Sequence, residues 1–471
     1  MTVLNSKINI VKKPPTRGLS ILIQRYQAIF QLWDLLEAEY QKYGDIYIDS
    51  FGDITQVLLS NPQAIEQVFT ADPNLFAIGK FNRVLEPLLG EYSLIMLDGV
   101  EHQKQRKLLM PPFHGERMKA YGQIIIDVTE RAIGQWQVGK PFQLREYAAE
   151  ISLQVIVKAV FGINKTEQYQ ELIHLLSSCL DIFNSPLKST LLMFTWLQKD
   201  LGSWSPWGQF IRKKKRIEEI LSEAIAARRD NSQLLGEDIL SLMLSVRDEN
   251  GAAMTDSEIK DELMTMLFAG HETTANSLAW AFYWIYSHRE VRQKLLDELN
   301  DINDNTDPNM IAKLPYLSAV VAETLRISPT VVGTFVRQLK QPMELMGYKF
   351  AAGTIFSPCI YLVHQREDIY PEPKKFKPER FLKPDPLDEN LITFDRPFSA
   401  YEYLPFGGGN RRCLGYAFAL FEMKLVLGTI LARSELTLLD RKPLKPMRRG
   451  VTFSPSGGVK MALNKLNLEK K

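Results

Sequence analysis

Phe406-Gly407-Gly408-Gly409-Asn410-Arg411-Arg412-Cys413-Leu414-Gly415 is the stretch on which the reading of this chain turns. Three consecutive glycines let a backbone pass close to a neighbour and aim N–H groups into a concavity. Cys413 stands just ahead of an apolar run, Tyr416 through Ile430, that reads as a helix. A helix N-terminus favours an anion, so this cysteine is placed to be a thiolate. The residues alone leave two other readings open. One is a structural cysteine in a tight turn; the other is a phosphate cradle, although the Lys-Ser/Thr of a Walker loop is missing.

The rest of the chain limits the choice. Its 471 residues are 45% apolar and 24% charged, with 57 Lys and Arg against 55 Asp and Glu. A formal charge of +2 does not hold a protein to nucleic acid by bulk attraction. Three cysteines (Cys179, Cys359, Cys413) build no disulfide framework and suggest a reducing compartment. Six histidines without HExxH or CxxC give a zinc site no support. No apolar run has signal-peptide or membrane-span length, so the expectation is a soluble, cytoplasmic protein without a transmembrane segment. Residues 1–20, with Lys12-Lys13-Pro14-Pro15, read as an N-terminal arm, and 21–471 as one domain without repeats or linkers.

Apolar residues three and four apart predict helices over most of that domain, almost without interruption from about Glu101 to Leu325. A hairpin is expected at Asp45–Asp53, followed by Val57-Leu58-Leu59, with short strands around Met343–Phe356 and a turn at Pro455-Ser456-Gly457-Gly458. Prolines clustered at 371–386 predict an irregular meander. The fold class is mainly α with minor β. Thr255-Asp256-Ser257-Glu258 has capping-box form and opens a proline-free run through His288, long enough to cross the molecule. Ala269-Gly270-His271-Glu272-Thr273-Thr274 in its middle is poor helix material, so a local distortion is expected there.

The cysteine loop resembles the haem-ligand loop of the cytochromes P-450, Phe-x-x-Gly-x-Arg-x-Cys-x-Gly, at every fixed position: Phe406, Gly409, Arg411, Cys413 and Gly415. Three further motifs follow in that family's order. Glu323-Thr324-Leu325-Arg326 is similar to its Glu-x-x-Arg, and Pro378-Glu379-Arg380-Phe381 to its meander motif. Ala269–Thr274 is similar to its oxygen-activation segment. The resemblance implies one large helical domain with small sheets and a long central helix across haem b, with Cys413 as the axial thiolate ligand of the iron. Phe406, Gly407, Gly415, Ala269 and Gly270 would lie against the cofactor, Gly270 leaving room for dioxygen. Thr273 would hydrogen-bond dioxygen and Glu272 relay protons. His271 keeps a structural reading, as do Cys179 and Cys359.

Haem carries two propionates, and the family's positions for their partners fall on His102, Arg106, Arg337 and Arg411. Glu323, Arg326 and Arg380 are implied to form a structural cluster behind the haem. Analogy places an apolar substrate pocket at Phe76, Phe81, Val84, Leu85, Leu88, Leu89 and Leu94, at Leu263, Leu267, Phe268 and Ala269, at Val331, Val332 and Phe335, and at Phe453. The function implied is a haem-thiolate monooxygenase that inserts one atom of O2 into an apolar small molecule of the fatty acid, alkane or terpene class. With no flavin or nicotinamide motif, electrons would come from a ferredoxin-type donor with its reductase, docking near Lys104, Lys107 and Arg412. A haem-thiolate isomerase or peroxygenase is the rival enzyme; a non-enzymatic haem- or phosphate-binding module is the rival of another class. Leu191–Leu197, Trp204 and Trp207 ahead of Arg212–Arg216 read as a lid over the pocket, with peripheral membrane contact as the alternative.

Overall fold

Apolar residues three and four apart become helices over most of the chain. A computed structural model describes residues 15, 31–51, 54–113, 117–162, 167–180, 198–231, 233, 235–303, 306–388 and 391–467. The helices that matter for the site are α1 (Leu32–Tyr43), α2 (Pro62–Thr70), α3 (Gly99–Leu109), α4 (Arg117–Ile133) and α5 (Leu144–Phe161). They continue with α6 (Glu167–Leu180), α7 (Pro206–Asp230), α8 (Asp256–Ser287), α9 (Pro315–Ile327) and α10 (Tyr416–Arg433). The expected N-terminal arm lies, but for Pro15, outside the described residues, as does Leu191–Leu197 of the expected lid.

The capping box forms as its sequence predicts. The Thr255 N–H donates to the Glu258 carboxylate at 2.7 Å, and the Glu258 N–H donates to the Thr255 hydroxyl at 3.2 Å. Two otherwise orphaned donors are satisfied, worth about 1 kcal/mol to the helix. From there α8 runs for 32 residues, about 48 Å at ~1.5 Å per residue, and is buried along most of its length. The expected distortion does not break it. Side chains occupy the carbonyls instead: Thr273 Oγ1 donates to Ala269 O at 2.7 Å and Ser277 Oγ to Thr273 O at 2.9 Å. Helices α4, α5, α7, α8, α9 and α10 share one apolar core, in which α5 lies along α8.

The sheets are small. In the largest, β1 (Ile46–Phe51), β2 (Ile54–Leu59), β3 (Phe76–Ala77), β4 (Arg337–Leu339) and β5 (Ile355–Pro358) lie in the order β1-β2-β5-β4-β3. The β1–β2 hairpin is antiparallel, pairing Ile46 with Leu59, and β2 runs parallel to β5, pairing Gln56 with Ile355. A second apolar cluster fills the space between this sheet and α2. The meander is a 3-10 turn at Pro378–Phe381 followed by a short hairpin. Gly457 and Gly458 make the expected C-terminal turn.

Glu323 and Arg326 on α9 are fully buried and paired twice, Nε to Oε2 at 2.6 Å and Nη2 to Oε1 at 2.8 Å. Nη1 donates to the His364 carbonyl (2.7 Å) and Nη2 also to that of Pro373 (2.8 Å). Arg380 Nε approaches Glu323 at 3.4 Å, and the Lys377 N–H donates to the same carboxylate at 2.9 Å. Removing one partner strands a charge in the core, which costs about 3–5 kcal/mol. Arg326→Leu is therefore expected to lower unfolding free energy by that amount in chemical denaturation; a loss below ~1 kcal/mol would mean that the cluster does not hold the fold.

Candidate functional site

The cysteine loop is shaped by its approach to α2. A Cβ on Gly408 would meet the Phe69 ring at 2.5 Å, and one on Gly409, where φ is +63°, would meet the Phe69 carbonyl oxygen at 2.6 Å. Only glycine tolerates both demands. The loop closes when the Cys413 N–H donates to Phe406 O at 2.9 Å, with Phe406 packed near Tyr416 at 6.2 Å between ring centres. Cys413 is exposed, whereas Cys179 and Cys359 are buried. Its thiol nevertheless sits among protein atoms that withhold water and push its pKa up. The Gly415 N–H, Arg106 and Arg412 pull the other way and favour thiolate. Nothing lies within 4 Å of where a Gly415 Cβ would be, so the surface beside the thiol is open.

Around this loop cations outnumber acids. Burial lowers the pKa of Arg106, Arg337 (to about 9) and Arg411 (to about 10), and Arg411 repels both others. Arg411 pairs with Asp98 at 2.8 Å, but its Nε has no hydrogen-bond partner. Arg337 has only neutral oxygens, Thr334 Oγ1 at 3.2 Å and Phe335 O at 2.9 Å, and stacks on Phe69 at 4.2 Å. His102 is buried with Nδ1 unpartnered, and desolvation with the Arg411 and Arg106 charges holds its pKa down at about 3. An open sulfur, an excess of buried cations and two unpartnered donors, Arg411 Nε and His102 Nδ1, fit a dianionic group that carries a metal. The donor set therefore suits haem, for which Cys413 would be the iron ligand and His102, Arg106, Arg337 and Arg411 would partner the propionates.

Helix α8 opens where the oxygen-activation motif lies. Ala269 is exposed, and Phe268, Gly270 and Thr273 are partly so, between buried stretches at Glu262–Leu267 and Thr274–Tyr283. Gly270 does not face that opening. Its absent side chain points to α5, where a Cβ would meet Ile156 at an ordinary contact distance of 3.5 Å. Ala269 and Thr273, one turn apart, form the open face. The Glu272 carboxylate is ion-paired with Arg145 of α5, with Asn276 Nδ2 3.5 Å away. Arg145 also donates to Asn276 Oδ1 at 2.8 Å. Neither Arg145 nor Asn276 was legible in the sequence. His271 is buried 4.0 Å from Glu272. Ser152 lies between Gly270 O (3.4 Å) and Glu422, a buried acid that desolvation pushes up to about 8.

The expected pocket residues divide. Phe81, Phe268, Val331 and Val332 keep partial exposure, while Val84 (46%) and Phe335 (37%) are open. Leu85, Leu88, Leu89, Leu94, Leu263 and Leu267 belong to the packed main core, and Phe76 to the sheet core. Phe453 is buried near Trp33, ring centres 6.3 Å apart. Packing takes most of the surface of these eight side chains.

The surface is corrected too. Lys104 and Lys107 are neutralised by Asp248 (2.7 Å) and Glu249 (2.6 Å). Arg412 stacks on Tyr416 at 4.0 Å, beside a depression of about 370 Å³ lined also by Arg396 and Lys424 and by no acidic residue. In the basic run, Arg212, Lys214 and Arg216 pair with Asp200, Glu218 and Glu171. Trp204 is 73% exposed and Trp207 buried.

The chain has many relatives of known kind. The cytochrome P450 family model matches residues 14–461. Putative cytochrome P450 135B1 of Mycobacterium tuberculosis is 32% identical over 452 residues, 95% of this chain and 90% of that protein. Putative cytochrome P450 138 of Mycobacterium bovis is 31% identical over 97% of each. Among solved structures, retinoic acid bound cyanobacterial CYP120A1 superposes with a TM-score of 0.78 at 25% identity, covering 96% of this chain and 99% of that one. The cytochrome P450DA heme domain, 20% identical over 96% and 97%, shares the fold with a TM-score of 0.79. Among the described residues, no helix is long and apolar enough to cross a membrane.

A second buried histidine ties this site to the fold. The Leu404 N–H donates to His364 Nε2 at 3.0 Å, so Nδ1 carries the proton and donates to Arg326 O at 3.2 Å. Burial, with Arg326 nearby, holds this ring's pKa down at about 3, as His102's is held. Between that value and the ordinary ~6.5, the unfolded chain binds more protons than the folded one, so stability falls as pH drops through this window. Denaturation midpoints measured between pH ~7 and ~4.5 should fall on acidification, and His364→Gln should flatten part of that slope. An unchanged slope would mean that His364 is already charged in the folded protein.

Proposed function

The chain belongs to the cytochrome P450 family, and from that premise we propose that it is a haem-thiolate monooxygenase acting on an apolar small molecule. The observation that carries this reading is the open Cys413 thiol on a chain whose Arg106, Arg337 and Arg411 share one acidic partner, Asp98, together with an α8 that opens at Ala269 and Thr273. Bound haem supplies the activation of dioxygen and the transfer of one oxygen atom to substrate.

The protein's own groups divide the remaining work. Cys413 donates electron density, and Gly415 N–H, Arg106 and Arg412 favour its anionic form. His102, Arg106, Arg337 and Arg411 hold the propionates. Thr273 Oγ1, returned to Ala269 O at 2.7 Å, holds a proton at the open face of α8. Glu272, beside it and paired with Arg145, brings protons from the direction of α5. Phe81, Phe268, Val331, Val332 and Phe335 offer apolar surface to a substrate of the fatty acid, alkane or terpene class. The retinoic acid of the cyanobacterial relative, an isoprenoid acid, favours the terpene class among these. An intact Glu272-Thr273 pair favours oxygen insertion over the isomerase or peroxygenase alternative.

Electrons come from a separate ferredoxin-type donor with its reductase. Because Lys104 and Lys107 are already paired, docking falls to the depression lined by Arg396, Arg412 and Lys424, whose cations face no acid there. Arg396→Glu should slow reduction by an acidic ferredoxin, and more so at low salt than at high. A rate indifferent to both charge and salt would place the donor elsewhere.

The ligand and the proton donor are tested together. The reduced, CO-bound protein should show a Soret band strongly red-shifted from that of imidazole-ligated haem, and Cys413→Ser should lose it. In Thr273→Ala, donor oxidation should continue while oxygenated product falls about 10²-fold or more and hydrogen peroxide rises. Glu272→Gln should slow the whole cycle instead. Fully coupled turnover in the alanine variant would remove Thr273 from the mechanism.

A further inference from the structure

The chain from Gly90 to Asp98 is a strap with no regular secondary structure, yet it is fastened on three sides. On the first side it meets α8. A Cβ on Gly90 would strike the Asp261 carboxyl at 2.1 Å, so the backbone lies directly on that group. The Tyr92 N–H donates to Asp261 Oδ2 at 3.0 Å, Thr265 Oγ1 meets Ser93 Oγ at 2.7 Å, and the Leu94 N–H donates to Glu262. On the second side, Asn82 Nδ2 donates to Ile95 O at 2.9 Å, and the Asp98 carboxylate accepts the N–H groups of Ile78 and Gly79 at 3.1 Å. On the third, Arg411 donates to Leu94 O at 3.2 Å and to Leu97 O, and pairs with Asp98.

One peptide residue thus joins the two halves of the site. Leu94 gives its N–H to Glu262 on α8 and takes its carbonyl bond from Arg411, two residues before Cys413 in the ligand loop. We infer that Glu262 is a positioning residue that acts through Leu94 on Arg411, fixing the guanidinium that would hold a haem propionate. This rests on the haem-thiolate reading above, and it adds to that reading a residue whose motif the family pattern does not contain.

Glu262 is suited to the task by its surroundings. It is buried, with Gln105 of α3 donating to Oε1 at 3.3 Å. Desolvation pushes its pKa up to about 8; Gln105 and Leu94 lower it, and Asp261 and Glu258 raise it. From α7, Lys214 and Glu218 face the adjoining Asp261, as Lys260 does from α8, while Lys104 of α3 faces Glu258. At neutral pH the Glu262 carboxyl is therefore protonated while the strap is seated. Peeling the strap away admits water and returns the group to an ordinary carboxylate pKa of ~4.3. The open state then binds fewer protons than the seated one between pH ~4.3 and about 8, so the strap loosens as pH rises through that window and no further above it.

Hydrogen exchange at the Tyr92 and Leu94 amides tests the strap directly, and haem transfer to excess apomyoglobin tests what it holds. Protection of both amides in the holoprotein should fall by up to about tenfold per pH unit through the window, relative to Glu262→Gln, which keeps the hydrogen bonds and should show no such slope. Glu262→Ala should lose protection and speed haem loss roughly tenfold, the worth of one buried hydrogen bond, with Glu262→Gln restoring the wild-type rate. Should the alanine variant fail to fold, Thr265→Val, which removes the Ser93 contact, should give a smaller change in both readouts. Protection with the same pH profile in wild type and Glu262→Gln would overturn the inference, and so would wild-type haem loss in a variant whose strap has lost protection. Failure of the underlying reading shows separately, as a CO complex without the thiolate signature.

Discussion

A guanidinium sealed from water needs acceptors for its hydrogens, and Arg326 finds them by dictating where distant chain goes. Its bonds to Glu323 and to the carbonyls of His364 and Pro373 leave the meander little freedom. His364, pinned to Arg326 O, offers its second nitrogen to the Leu404 N–H, two residues before Phe406. Tyr403 closes the same unit by donating to Ala322 O at 3.0 Å. The loop that carries Cys413 thus hangs from a buried ion pair through a chain of neutral hydrogen bonds. Stability and chemistry share one support.

Around the thiol the logic reverses. The Arg326 guanidinium is paired twice to a carboxylate; at Arg106, Arg337 and Arg411 positive charge exceeds negative, and burial depresses each pKa. A fold tolerates such an excess where a ligand brings the missing negative charge, because folding and binding then share the electrostatic cost. The free site stays open and the surrounding core pays for its shape elsewhere, in the close packing of α5 on α8.

Much of this was legible in the sequence, and the parts that were not share a cause. The glycine loop, the Thr255 capping box and the Glu323–Arg326 spacing are local: their partners lie within a few residues, so pattern implies geometry. Gly270 stands out in the sequence as an anomaly in a helix, but that it lies beside Ile156 of α5 is not legible there, because periodicity gives a residue's angle around its own axis and says nothing of what stands opposite. Leu88 and Leu267 look like pocket residues for the same reason that they are core residues, since both environments select apolar side chains. Arg145 and His364 could not be found at all. Their partners are 127 and 40 residues away, and a lone arginine or histidine in an apolar helix carries no mark of its distant contact.

The parallel pairing of β2 with β5 has a consequence for how the molecule is made. Gln56 cannot meet Ile355 until about 300 more residues have been synthesised, which at ~5–20 residues per second takes about 15–60 s. During that interval the β1–β2 hairpin presents an unpaired strand edge rich in Val57, Leu58 and Leu59, the kind of edge to which other chains add. The nascent protein thus carries an unpaired strand edge at its N-terminal end for most of its synthesis, the cost of closing a sheet across so long a stretch of chain.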